Sequence, residues 1–124
     1  MFQIREEHVS AFQKVAVDNF EERAVRHLRT DLAEHTAGCS DGDLRARVRE
    51  CIPRAAAYDL NTERQVIFFV DTTYLAGVGF DTDPACPWAQ RLLSSRLSAD
   101  EKASSLMATA LALVHQAKVK KGLK

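Results

Sequence analysis

Asn61–Ala89 reads NTERQVIFFVDTTYLAGVGFDTDPACPWA. It contains the most apolar run in the chain, Val66–Val70, the single tryptophan, Trp88, and two of the three prolines, Pro84 and Pro87. Thr62 followed by Gln65 has the spacing of a capping box, in which each side chain satisfies the other residue's backbone N–H. A helix is therefore expected to start at Asn61 or Thr62. The run Val66–Val70 also suits a strand. A helix is preferred because the cap precedes it, Thr73, Tyr74 and Leu75 extend it, and no other segment offers a strand partner. A helix apolar on all sides belongs at the centre of a fold. It is expected to break at Gly77 and Gly79 and to turn through an acidic corner, Phe80-Asp81-Thr82-Asp83-Pro84, onto Trp88.

Reading outward, the segments on either side are helical too. From Arg5 to Thr36 the residues Val9, Phe12, Ala16, Phe20, Ala24, Leu28 and Leu32 recur every three or four positions between charges. That is one face of an amphipathic helix. Asp18-Asn19 is the weak point at which a break is expected, and Gly38 is expected to supply a left-handed cap. A second helix follows Ser40, with Asp43 completing the box. Its apolar stripe is Leu44, Val48, Cys51, Ile52 and Ala55, and Arg45, Arg47, Arg49 and Arg54 read as a solvated face. Pro53 is expected to bend or end that helix, because its ring removes a backbone hydrogen bond. Pro87 and Trp88 open a short fourth helix running to Ser94. Ser98 and Glu101 cap a fifth, whose buried stripe is expected to be Leu106, Ala110, Leu113 and Ala117 and which frays into a basic tail, 118–124. The expectation is a single all-α domain, 1–124: a compact bundle of about five helices with a central third helix.

Bulk properties limit the function. The 124 residues carry 17 basic and 17 acidic side chains, for a net charge of zero. Such balance argues against a nucleic-acid partner, which requires many phosphates to be neutralised. No apolar run approaches the roughly 20 residues that span a bilayer, so no membrane partner is expected. The N-terminus resembles no signal peptide, and three cysteines without a CxxC spacing suit a reducing compartment. A cytoplasmic protein is expected. Charge is nonetheless uneven, with a net of −4 over residues 59–83 and +4 over the last seven.

Chemical motifs are sparse. His35 and Cys39 lie four apart, but a zinc site needs about four converging donors. Asp81 and Asp83 resemble part of a calcium loop, yet no central glycine or terminal glutamate follows, and turn-capping is the better reading. No His frames Cys39, Cys51 or Cys86 as a nucleophile, and Gly77-Val78-Gly79 lacks the third glycine of a phosphate loop. The expectation is no metal, no cofactor and no catalysis. Asp71 is read as lying on an exposed edge of the third helix. If buried, it needs an arginine of the second helix, or Arg64, beside it.

Leu60-Asn61-Thr62-Glu63-Arg64-Gln65-Val66, Phe69-Val70-Asp71, and Phe80-Asp81-Thr82-Asp83-Pro84 through Pro87-Trp88-Ala89 together resemble small helical proteins encoded in bacterial type VI secretion effector clusters, beside genes for PAAR or VgrG spike-tip proteins. The resemblance spans roughly residues 40–95 and includes Arg49–Tyr58 as the second helix. The chain departs from the pattern at Pro53, where the family is commonly Ala-rich, and at Gln65, where it commonly has an acid. The resemblance implies a non-enzymatic co-chaperone or adaptor that assists effector loading by binding an effector chaperone, an effector or a spike-tip protein. The surface expected to carry it is the corner, through Phe80, Asp81, Asp83, Pro84 and Trp88, since aromatic anchors with a polar rim suit interfaces. The alternatives are that both aromatics staple the corner to the core, and that the chain is an immunity protein whose acidic residues 59–83 block a toxic effector.

Overall fold

The computed structural model describes residues 11–122, with side chains from residue 19 to residue 117. The expected helix positions Arg5–Ser10, and the side chains of Val9, Phe12 and Ala16, lie outside the described residues, as do the side chains of the basic tail 118–124. Among the described residues the chain is all-helical, with six helices: α1 Ala11–Asp31, α2 Ala33–Thr36, α3 Asp41–Ala56, α4 Glu63–Ala76, α5 Pro87–Leu93 and α6 Ala99–Gly122. None is long and apolar enough to cross a membrane.

Six rather than five helices arise because the first segment divides. The break falls at Leu32, not at Asp18-Asn19, and leaves the four-residue α2 behind it. Leu32 is buried and Arg29 donates to the carbonyls of Thr36 and Cys39, so tertiary packing and one arginine set the break, not local propensity. Gly38 is not left-handed; the α2 cap, Ala37, keeps helical angles.

The three expected capping boxes all form: Ser40 with Asp43, Thr62 with Gln65, and Ser98 with Glu101. Pro53 neither ends nor divides α3. It sits in the last turn with its ring exposed, and the helix closes beyond it through a Schellman pattern. Leu60 N–H reaches the Ala55 carbonyl and Asp59 N–H reaches that of Ala56, each at 3.0 Å. Asp59 takes the left-handed position, φ 66°, that glycine usually fills.

Polar pairs give the helix directions. Glu21 meets Arg49, and Arg29 meets Asp41, so α3 runs antiparallel to α1. Arg23 meets Glu63, and His27 meets Asp71, so α4 advances with α1. Gln65 Nε2 donates to Asp100 at 2.8 Å, which sets the starts of α4 and α6 side by side. Those two helices share the most extensive packing in the fold, and α4 also touches α3, α1 and α2. The core joins Phe20, Leu28, Leu44, Val48, Val66, Phe69, Val70, Phe80, Leu93 and Leu106.

Three expectations about side chains change. Arg45, Arg49 and Arg54 do not form a merely solvated face: Arg49 grips the fully buried Glu21 through two hydrogen bonds of 2.8 and 2.9 Å, Arg45 approaches the same carboxylate, and Arg54 holds Asp81. A buried carboxylate needs such partners. Asp71 is neither exposed nor paired with an arginine; it is buried and meets His27. Leu113, expected in the α6 stripe, is 44% exposed, and Ala117 is exposed as well. The stripe Ala103, Leu106 and Ala110 is covered, but α6 has 24 residues against 14 for α4 and outruns the helix that covers it.

Candidate functional site

The corner between α4 and α5 forms because Gly77 and Gly79 take φ of 115° and 81°, angles a β-carbon strains. The Gly77 N–H still bonds to the Thr73 carbonyl and closes α4. Tight turns then follow: Phe80 N–H to Gly77, Thr82 N–H to Gly79, and Cys86 N–H to Asp83. The Asp83 carboxylate accepts from the Ala85 N–H at 2.9 Å, which is the turn-capping role of aspartate.

These turns divide the expected site residues into an inner and an outer set. Phe80 points inward and is 1% exposed, with its ring 5.0 Å from that of Phe69. Phe69 in turn lies 6.3 Å from the ring of Tyr58. Asp81 is also inward. Arg54 donates to one of its oxygens and the Tyr58 hydroxyl donates to the other at 2.9 Å. Burial, then the bond to Asp81, pushes the Tyr58 phenol up to about 12, and the same carboxylate raises Arg54. Asp83 and Pro84 are exposed. Trp88 is half-buried, packed against the core on one side and open on the other.

Sequence reasoning missed three participants. Arg54, in the last turn of α3, and Tyr58, in the turn just after it, hold the corner; their four-residue spacing was the available signal. Val78, between the two glycines, is 58% exposed and is the most open large apolar side chain described.

The corner has little chemistry beyond shape. Burial, followed by the charge of Asp83, raises the Cys86 thiol, so it is held in its weakly nucleophilic protonated form. Burial raises Cys51 likewise, and its sulfur lies 3.6 Å from the Thr73 hydroxyl. Among the described residues no three His, Cys, Asp or Glu side chains converge as metal ligands would. What the corner presents is a turn pinned from within, with Val78, Asp83, Pro84 and Trp88 facing outward. Comparison with protein-family models, with curated proteins and with solved structures finds no match for this chain.

Proposed function

We propose that this chain is a non-enzymatic binding module of the secretion-accessory type, a co-chaperone or adaptor in type VI effector loading, and that it docks its partner on the outer rim of the α4–α5 corner. The secretion context rests on the resemblance carried by Leu60–Ala89. The observation that supports the binding surface is the division of the corner: Phe80 and Asp81 are consumed in holding it, which leaves Val78, Asp83, Pro84 and the open side of Trp88 as a rigid, partly apolar rim. Aromatic anchors beside exposed apolar and acidic groups suit an interface.

The immunity reading loses its main support. It relied on the acids of residues 59–83 as a polyanion mimic. Asp71 and Asp81 are buried against His27 and Arg54, and Glu63 is paired with Arg23. Of that set, Asp59 and Asp83 are the exposed acids.

The test compares wild type with Val78→Asp and Trp88→Ala by affinity capture from the native cell, with mass spectrometry and thermal denaturation alongside. Retention of an effector chaperone, effector or spike-tip protein by wild type, and its loss in both variants at near-wild-type Tm, is the expected result. Capture that Val78→Asp leaves intact, or recovery of no secretion-cluster protein, refutes the proposal. Rescue of growth against a toxic domain points instead to immunity.

A further inference from the structure

Asp71 lies within α4, 1% exposed, and the ring of His27 on α1 faces it. Nε2 is 2.9 Å from one carboxylate oxygen and 2.8 Å from the other. The opposite ring nitrogen, Nδ1, is 3.1 Å from Oδ2 of Asp31. Both nitrogens therefore face carboxylates. An ionised carboxylate only accepts, and a neutral imidazole has a single N–H. With both carboxylates ionised, both contacts are hydrogen bonds only when the ring carries two protons.

We propose that the α1–α4 junction is a proton-operated latch, closed while His27 holds both ring protons and loosened when it releases one. The members differ in access. The His27 side chain is 27% exposed and Asp31 60%, so both exchange with solvent, whereas Asp71 has no route to water while the helices stay packed. A ring that loses its Nδ1 proton frees Asp31 to swing outward. It keeps one hydrogen bond on Asp71 but no longer supplies the counter-charge that a buried carboxylate requires.

The neighbouring charges are engaged elsewhere. On α4, Glu63 holds Arg23; on α3, Arg45 and Arg49 hold Glu21, and Asp41 holds Arg29. The short α2, packed on α1 and α4, carries Glu34 and His35. Burial raises the Asp71 carboxyl above its ordinary value, the bond and charge of His27 oppose this, and Asp31 adds to it. The closed latch pairs an ionised Asp71 with a doubly protonated ring, so it weakens as pH rises and the ring gives up a proton. Asp71 lies in the helix that leads into the corner at Gly77, so loosening α1 acts on the element that carries the proposed rim.

The full chain is titrated between about pH 5.5 and 8.5, the range in which imidazoles change charge. The ¹⁵N shifts of the His27 ring nitrogens, assigned with His27→Gln, read its protonation directly. Urea denaturation midpoints are measured across the same range for wild type, His27→Gln, Asp71→Asn and the control His115→Gln. Both His27 nitrogens are expected in the protonated range at the acid end. The midpoint should fall towards alkaline pH in wild type and His115→Gln, and fall less than half as far in the other two. A neutral single-tautomer ring at the acid end in the folded protein overturns the proposal, as does an unchanged pH slope in His27→Gln. Should His27→Gln or Asp71→Asn fail to fold, the wild-type ¹⁵N titration decides alone, with His27 assigned by elimination through His8→Gln, His35→Gln and His115→Gln.

Discussion

Replacing Arg54 by Met strips the buried Asp81 of its cation while keeping the apolar stem that lies along α3. Removing one partner of a buried ion pair costs about 3–5 kcal/mol in general. The Arg54 side chain is 35% exposed and Asp81 5%, so water screens part of the interaction, and the Tyr58 hydroxyl remains bonded to Asp81. These two facts reduce the expected cost to about 2 kcal/mol. Asp81→Asn leaves Arg54 free to turn towards solvent and keeps an oxygen for Tyr58, so it should cost about 1 kcal/mol. In the double variant neither charge is stranded. Its cost should fall short of the sum of the two singles by about 1–1.5 kcal/mol. For a domain of this size 1 kcal/mol moves Tm by about 4 °C, so Arg54→Met alone should lower Tm by about 8 °C. Chemical denaturation gives the three free energies, and an unchanged m-value confirms that the denatured state is comparable. Costs that simply add, or an Arg54→Met variant within about 0.5 kcal/mol of wild type, would show that Phe80 alone holds the corner and that the Arg54–Asp81–Tyr58 cluster is incidental.

Two further outcomes follow from backbone and side-chain geometry. Asp59→Gly should stabilise the protein by about 0.5–1 kcal/mol, since it relieves a left-handed non-glycine residue at the α3 cap, offset partly by the entropy glycine adds to the unfolded chain; thermal denaturation measures it, and a lowered Tm contradicts the cap assignment. Absorbance titration of the two tyrosines should show both ionising above the ordinary tyrosine value in the folded protein, because burial raises Tyr74, and burial with the bond to Asp81 brings Tyr58 to about 12. As the folded value exceeds the unfolded one, Tyr58 contributes stability that is lost as pH climbs from about 10 towards 12, and Tyr58→Phe should remove that part of the alkaline loss.

The parts of the fold legible in the chain are those decided within three or four residues. Ser40 with Asp43, Thr62 with Gln65 and Ser98 with Glu101 mark three helix starts because each box closes on itself. Gly77 and Gly79 mark the end of α4 because their angles exclude most other residues. What was not legible depends on partners distant in sequence. Leu32 breaks α1 where Arg29 can reach the carbonyls of Thr36 and Cys39, which only the folded turn brings together. Leu113 continues a perfect helical stripe, yet it is exposed because α4 has ended beside it. At the corner, composition marked the segment but not the facing of its residues. Phe80 and Asp81 turn inward because Phe69 on α4, Arg54 on α3 and Tyr58 in the turn after α3 meet them, at separations of 11, 27 and 23 positions.

The position of the corner follows from where α3 holds it. Cys51 meets Thr73 in the last turn of α4, and Arg54, one turn further along α3, meets Asp81 beyond the glycines. The two contacts bracket Gly77 and Gly79, which are the residues whose backbone freedom would otherwise make a hinge. A swing of the corner away from α4 therefore has to break the Arg54–Asp81 pair and withdraw Phe80 from Phe69 at once, since both lie on the far side of the glycines. The rim of Val78, Asp83 and Pro84 is in this way held by the fold itself. Little conformational entropy is left to lose on docking, which is how a small surface with few apolar groups retains useful affinity. If the corner is the docking surface proposed above, a variant that removes both holds, Asp81→Asn with Phe80→Ala, weakens binding even though it leaves every rim side chain in place, and affinity capture measures the loss.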